Sequence, residues 1–367
     1  MRTQGAFLRI IFMGTPDFAV PSLRSLAGSE KHEVCLVVTQ PDRPKGRSKA
    51  LQPSDVKRCA LELGLAVYQP ERVRTPDAIA RLREENADII VVAAFGQILP
   101  KELLEMPRYG CINLHGSLLP EYRGASPIQQ AVIDGKKEAG NTVMQMAEGL
   151  DSGDILLQER VTLAEDETAG SLYARLSGMG GPLLLRALDA IEAGTITPVP
   201  QDASKATHVK MLRKEMGDLD WAQPAQRLAC QVRGFNPWPA AYTHWNGKLL
   251  KIWMAKAVPE TDGAAACGAD AAGKVTAAEA AAGKTKEAGG EDVPFISDPG
   301  EDAALSERQA RTLPGTVIEA QGDRLLVQTG DGLLSLTEVQ LEGKKRLPVR
   351  DFLLGCRIRP GDVLTGA

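Results

Sequence analysis

Asn113 and His115 stand two residues apart at the end of an apolar run, within CINLHGSLLPEYRGASP at 111–127. In an extended segment, positions i and i+2 project from the same face. An amide and an imidazole so placed can reach one reacting atom together. Gly116 and Ser117 break the strand, and Pro120 and Gly124 bound a loop carrying Glu121, Tyr122 and Arg123. A second segment, GLDSGDIL at 149–156, sets Asp151 between two glycines, in a turn from which its carboxylate can swing toward His115. Amide, imidazole and carboxylate, with no serine or cysteine nucleophile beside them, suit direct acyl transfer from a carrier to an amine. Asn113 donates to the developing oxyanion. His115 donates as well and shuttles a proton. Asp151 holds and tunes the imidazole. Each residue alone also fits a plain structural role, as a turn cap, a satisfied buried histidine or a turn acid. Their place at the carboxyl end of an apolar strand, where open α/β sheets bind ligands, favours the chemical reading.

The elements that must position these groups come from a globular composition. The chain has 367 residues, 43% hydrophobic and 25% charged, a length for two domains. A net charge of -4 argues against a globally basic nucleic-acid binder and leaves such contacts to local patches. Cys35, Cys59, Cys111, Cys230, Cys267 and Cys356 show no metal-ligand spacing, so no metal is expected and the thiols read as reduced in a cytoplasmic protein. Nothing near Cys111 in sequence activates a thiolate. The N-terminal apolar run is too short for a signal peptide, and no stretch is long and apolar enough to span a bilayer. With no exposed apolar seam in the pattern, a monomer is expected.

Strand-like runs at 8–13, 34–39, 66–69 and 89–93 alternate with helical patterns at 18–26, 54–63 and from Thr75-Pro76-Asp77 onward. A helix follows at 127–133, strands at 141–146 and 155–163, and a helix from a Thr168 cap to Ala193. This alternation predicts a mostly parallel, Rossmann-like sheet covered on both faces. It is not a dinucleotide fingerprint, because GTPDFA has only the first glycine. The domain is expected to end near 200, with 201–218 a polar linker. A helix at 221–232 and period-2 runs at 249–255, 315–319, 325–329 and 333–339 then predict a small β-barrel over 219–367. Within it, 258–312 is Ala-, Gly-, Glu- and Lys-rich, with almost no large apolar residues. It reads as a disordered insertion.

NLHGSLLPEYRGASPIQQAV followed by GLDSGDIL resembles the signature of the 10-formyltetrahydrofolate-dependent formyltransferases. The resemblance carries their catalytic trio onto Asn113, His115 and Asp151. It implies a folate site at Phe95, Gly96, Gln97, Ile98 and Leu99, where the family wraps the pterin mostly through backbone groups, and at Ser117, Leu118, Leu119 and Pro120. The loop QPDRPKGRSKALQPSD at 40–55 carries Arg43, Lys45, Arg47 and Lys49. By composition it is a solvated loop or a phosphate-contacting one. It resembles the loop that enters the acceptor arm of initiator tRNA in the branch acting on methionyl-tRNA, and Arg43 sits where that branch has its key arginine. The smaller purine-pathway members lack this insertion.

RGFNPWPAAYT at 233–243 is similar to the start of the family's C-terminal domain, which implies an oligonucleotide-binding-fold-like barrel. Lys248, Lys344, Lys345 and Arg346 then read as a tRNA-facing strip. The implied activity is transfer of the formyl group of 10-formyltetrahydrofolate to the α-amino group of methionyl initiator tRNA. Three alternatives stand beside it. One is a folate formyltransferase acting on a small amine, glycinamide ribonucleotide or an amino-sugar nucleotide. The others are a hydrolase releasing formate and a non-catalytic tRNA- or folate-binding protein.

Overall fold

The structure is a computed structural model describing residues 8–44, 50–258 and 312–366. The chain divides into two compact units. One runs to Gly217 and also takes Cys230–Ala241; the other takes Asp218–Ala229 and Tyr242–Ala367.

In chain order the elements begin β1 (Leu8–Gly14), α1 (Val20–Ala27) and β2 (His32–Val38). The short pair β3 (Arg43–Pro44) and β4 (Leu51–Gln52) follows, then α2 (Asp55–Glu62), β5 (Val67–Tyr68), α3 (Pro76–Glu84) and β6 (Ile89–Ala93). Next come α4 (Lys101–Leu104), β7 (Cys111–His115), β8 (Arg123–Gly124), α5 (Pro127–Ile133), β9 (Glu138–Gln145) and β10 (Ile155–Thr162). α6 (Ala169–Glu192), β11 (His208–Val209) and α7 (Ala225–Gly234) complete this stretch.

Seven strands form one sheet in the order β10-β9-β7-β6-β1-β2-β5. β1, β2, β5, β6 and β7 run parallel. β9 is antiparallel to β7, and β10 to β9. The near-continuous apolar strands suit burial on both faces. Ile10, Phe12, Ile112 and Leu114 pack with Leu172, Leu176 and Leu184 of α6 on one side. Ile11, Met13, Val92 and Cys111 pack with Ile79, Leu82 and Leu103 on the other. Strand order turns outward in opposite directions from β1 and β6, which makes their carboxyl ends the switch point where such sheets leave a crevice. Gly14 closes β1 there. A Cβ on it would lie 2.8 Å from the Ala19 Cβ and 2.9 Å from the Ala93 carbonyl oxygen.

Local signals in the sequence account for most boundaries. Ser54 caps α2 by accepting from the Lys57 N–H. Thr168 and Ser171 form a reciprocal capping box on α6. Thr75 has the extended backbone of a cap, but its hydroxyl donates to the Arg72 carbonyl and caps nothing in α3. The helix expected at 221–232 begins only at Ala225. Before it, Asp220 accepts from the Ala222 N–H, and the buried Trp221 donates Nε1 to Thr243 Oγ1 at 3.0 Å. Those bonds hold 220–223 as a turn, and Pro224 disfavours helical backbone at Gln223.

The second unit is antiparallel. It consists of β12 (Ala241–Trp245), β13 (Lys248–Val258), β14 (Val317–Gln321), β15 (Arg324–Gln328), β16 (Leu333–Leu341), β17 (Leu347–Pro348) and α8 (Val349–Gly355). The sheet order is β12-β13-β16-β15-β14, with β17 on β16. The C-terminal segment joins its two ends. Thr365 exchanges backbone hydrogen bonds with His244 at 2.8 and 3.0 Å, while Leu364 N–H donates to Gly315 and Val317 N–H to Asp362, both at 2.8 Å. A small barrel-like sheet results, as its period-2 runs predict. All of the alanine-rich stretch at 258–312 except Val258 and Thr312 lies outside the described residues. Among the described residues no helix is long and apolar enough to cross a membrane.

Candidate active site

β7 delivers Asn113 and His115 to the carboxyl edge of the sheet. Period-2 alternation puts them on the Cys111 side, away from Ile112 and Leu114. Asn113 is in register with Val92 of β6 and with Met144 of β9, so β7 is fixed from both flanks. His115 is only 6% exposed, whereas Asn113 is half-buried.

Asp151 comes from the turn between β9 and β10 with a φ of 48°, a left-handed conformation that aspartate adopts more readily than most residues. The turn needs Gly153, where an added Cβ would overlap the Gln145 carbonyl oxygen. Asp151 Oδ2 accepts from the Gly124 N–H at 2.8 Å and stands 3.7 Å from His115 Nδ1. The second distance is too long for a hydrogen bond. The ring's hydrogen bond goes instead to the Tyr122 carbonyl, 2.9 Å from Nε2. A carbonyl only accepts, so Nε2 bears the proton and Nδ1 faces the carboxylate. The orientation expected from Asp151 thus comes from a backbone carbonyl, and Asp151 supplies charge beside the other nitrogen.

The loop after β7 is tied down from several directions. Thr142 Oγ1 donates to the Ser117 carbonyl at 2.6 Å and accepts from the Leu119 N–H at 3.1 Å. Gln158 Nε2 reaches both the Leu119 carbonyl and Thr142 Oγ1 at 2.9 Å. Ser117 Oγ donates to the Glu121 carbonyl at 2.6 Å. Tyr122 donates its hydroxyl to Asp134 at 2.8 Å, and burial followed by that neighbour pushes its phenol well above the usual range. Burial likewise pushes the Cys111 thiol up to about 12, which leaves it no thiolate role.

Of the segment 201–218 read from sequence as a polar linker, 201–217 belongs to the first unit. Its β11 pairs in parallel with β8, His208 opposite Arg123 and Val209 opposite Gly124. Gln201 and Thr207 from this segment bond the loops beside His115 and Asp151. So do Thr142 and Gln158 from the strands. Sequence reasoning passed over all four, since no local pattern marks them.

The residues proposed for folate divide by exposure. Phe95 and Leu99 bury their side chains in the core, and the Phe95 carbonyl already accepts from Thr15 Oγ1 at 3.0 Å and Gln40 Nε2 at 3.2 Å. Gln97 accepts from the Val73 N–H at 2.8 Å. Ala94 and Gly96 take φ of 48° and 81°, bending the segment, and Ile98 is 82% exposed. Ser117 and Leu119 are buried, while Leu118 and Pro120 are partly exposed.

Among the basic residues, Arg43 opens the β3–β4 pair and is exposed. Behind it, Asp42 accepts from Lys57 at 2.8 Å and from Gln69 at 2.7 Å, contacts that hold its carboxyl below the usual range. Lys45, Arg47 and Lys49 lie outside the described residues. Lys248, Lys344 and Lys345 are exposed on the second unit. Arg346 differs from them, for it pairs with Glu338 and stacks 4.6 Å over the Trp253 ring.

A model of the formyl transferase family matches residues 8–188, and one of the formyl transferase C-terminal domain matches 211–357. The methionyl-tRNA formyltransferase of Agathobacter rectalis is 46% identical over 358 residues, 98% of this chain and 100% of the relative. That of Bacillus subtilis is 43% identical over 357 residues, 97% of each. Among solved structures, an N-formyltransferase from Helicobacter canadensis in complex with folinic acid and dTDP-3-aminofucose aligns with a TM-score of 0.56 at 15% identity, covering 90% of this chain and 99% of that one. HypX from Aquifex aeolicus in complex with tetrahydrofolic acid aligns at 0.52 and 17%, covering 95% and 47%. At these identities the two structures speak to the fold alone.

Proposed function

The chain belongs to the formyl transferase family, and from that premise we propose how its residues carry out the reaction. The protein formylates methionyl-tRNA. The donor is 10-formyltetrahydrofolate and the acceptor is the α-amino group of methionine on initiator tRNA. That amine attacks the formyl carbon and a tetrahedral intermediate forms. The new C–N bond stays as the bond to N10 breaks, and the proton lost by the amine ends on N10. No covalent enzyme adduct is needed.

The observation that carries this reading is the convergence of Asn113, His115 and Asp151 at the carboxyl edge of β7, with His115 Nδ1 3.7 Å from the Asp151 carboxylate. Asn113 donates its amide N–H to the oxyanion. His115, held at Nε2 by Tyr122, uses Nδ1 to move the proton from amine toward leaving group. Asp151 stabilises the charge that this transfer places on the ring. Folate is held along the bent 94–99 segment and the 117–120 loop, mainly by backbone groups. Arg43, with Lys248, Lys344 and Lys345, meets the phosphates of the tRNA.

The test is formyl transfer from 10-formyltetrahydrofolate to methionyl initiator tRNA by wild type and by Asn113→Ala, His115→Ala and Asp151→Ala, with elongator tRNA as control. Wild type should act on the initiator, and each variant should lose most of its turnover while still binding folate. A variant with near-normal turnover would remove its residue from the mechanism.

A further inference from the structure

One strap of chain holds both halves of the proposed site. Val199 exchanges backbone hydrogen bonds with Ile155, just past the Asp151 turn, at 2.8 and 2.9 Å. Farther along, Thr207 Oγ1 accepts from the Tyr122 N–H at 2.8 Å, and its carbonyl accepts from the Arg123 N–H at 2.8 Å. Between them Gln201 touches both loops with one side chain. Its Nε2 donates to the carbonyls of Asp151 at 2.9 Å and Gly153 at 2.7 Å. Its Oε1 accepts from Arg123 Nε at 3.1 Å and Nη2 at 2.7 Å. Both amide protons and the amide oxygen are thereby committed to the two loops.

Those loops decide where the reacting groups stand. The Tyr122 carbonyl next to Arg123 fixes the His115 ring, and the Gly124 N–H on its other side fixes the Asp151 carboxylate. Asp151 also keeps a left-handed backbone that its surroundings must maintain, and Gln201 holds its carbonyl. We infer that Gln201 is a positioning residue for formyl transfer, setting the separation of the Asp151 carboxylate from the His115 imidazole by clamping the two loops that carry and orient them. The inference rests on the catalytic roles proposed for that pair.

Gln201→Met keeps the length of the side chain and removes all four hydrogen bonds. Displacement of a reacting group by a fraction of an ångström to an ångström lowers rates by up to about 100-fold, so kcat should fall roughly ten- to 100-fold. KM for 10-formyltetrahydrofolate and for methionyl-tRNA should stay within about twofold, because the Gln201 amide is already committed to the two loops. Gln201→Glu keeps the acceptor for Arg123 but loses both donors to the Asp151 turn, and should lose kcat to a similar degree. If Gln201→Met does not fold, Gln201→Glu carries the same comparison. In an Asp151→Ala background, adding either Gln201 substitution should cost clearly less than it does in wild type, since only the share of the clamp that reaches His115 through the Arg123 loop is left to lose. The inference is overturned if both Gln201 variants keep wild-type kcat while Asp151→Ala is inactive. An equal loss in both backgrounds, or a rise in KM at constant kcat, overturns it too. An active Asp151→Ala protein would instead sink the underlying catalytic reading.

Discussion

The loops around His115 and the basic residues assigned to tRNA obey different physics. At the first, polar groups find partners within the protein: Ser117, Thr142, Gln158, Gln201 and Thr207 bond one another or the loop backbone. At the second, Lys248, Lys344, Lys345 and Arg43 extend into solvent. A reaction needs its groups held to within a fraction of an ångström. Attraction to a polyanion needs only charge in roughly the right place. Substitutions in the first region should therefore act strongly and non-additively. Those in the second should act weakly, additively and in a salt-dependent way.

The largest effects should come from Asn113→Ala and His115→Ala. Loss of the Asn113 oxyanion donor costs roughly 3–4 kcal/mol, on the order of 100- to 1000-fold in kcat, and loss of the His115 proton carrier costs about 100- to 10,000-fold. With Nε2 engaged by Tyr122, His115 is not the second oxyanion donor that its spacing from Asn113 suggests. Single-turnover formyl transfer would read this, with folate titration showing affinity largely kept. Equal and modest losses at Asn113 and Lys344 would erase the contrast between the two regions.

Next in size is Gly124→Ala. Gly124 has φ of +115°, and an added Cβ would overlap the Val209 carbonyl of the strap. Strain of this kind costs about 1–3 kcal/mol, so the first unit should melt several degrees lower. Gly322→Ala is the matched control, at φ +62° with nothing within 4 Å of the new Cβ. A similar drop at both positions would mean that φ alone, and not the close approach of the strap, makes Gly124 necessary.

Smaller still are the cations. Arg43→Ala and Lys344→Ala should each leave kcat at saturating tRNA unchanged and reduce the salt slope of tRNA binding by about 1. Arg346→Ala should behave differently, because Glu338 and Trp253 already engage its guanidinium. Binding measured across a salt series would reveal whether Arg346 belongs with the other four.

The smallest effect concerns His32, buried with Nε2 3.5 Å from Asp189. Burial lowers its proton affinity below the ordinary 6.5, with Asp189 and Glu192 opposing and Lys31 assisting. The unfolded chain therefore binds the proton more readily, so stability is full above about pH 6.5 and declines as pH drops below it. Thermal melts between pH 7.5 and about 5 should show this slope, and His32→Gln should flatten it.

Much of this was legible in the sequence. Apolar runs located β1, β6 and β7, period 2 placed Asn113 and His115 on one face, and Ser54 and Thr168 marked helix starts. The tail that joins the edges of the second sheet was not legible, nor was the turn that delays α7. Each depends on a partner far along the chain, Thr365 reaching His244 and Trp221 reaching Thr243.

By itself, then, the sequence determined the alternation of strands and helices, the shared face of the amide and imidazole, and the motif that marks the family. Those follow from strand and helix periodicity and from residue types a few positions apart. Only the tertiary structure decided that a Tyr122 carbonyl orients His115, and that Gln201, 50 residues from Asp151 and 78 from Arg123, clamps their loops together. The physical reason is that these bonds form between loops from strands that meet only at one edge of a packed sheet. No local preference encodes which backbone carbonyl will arrive there.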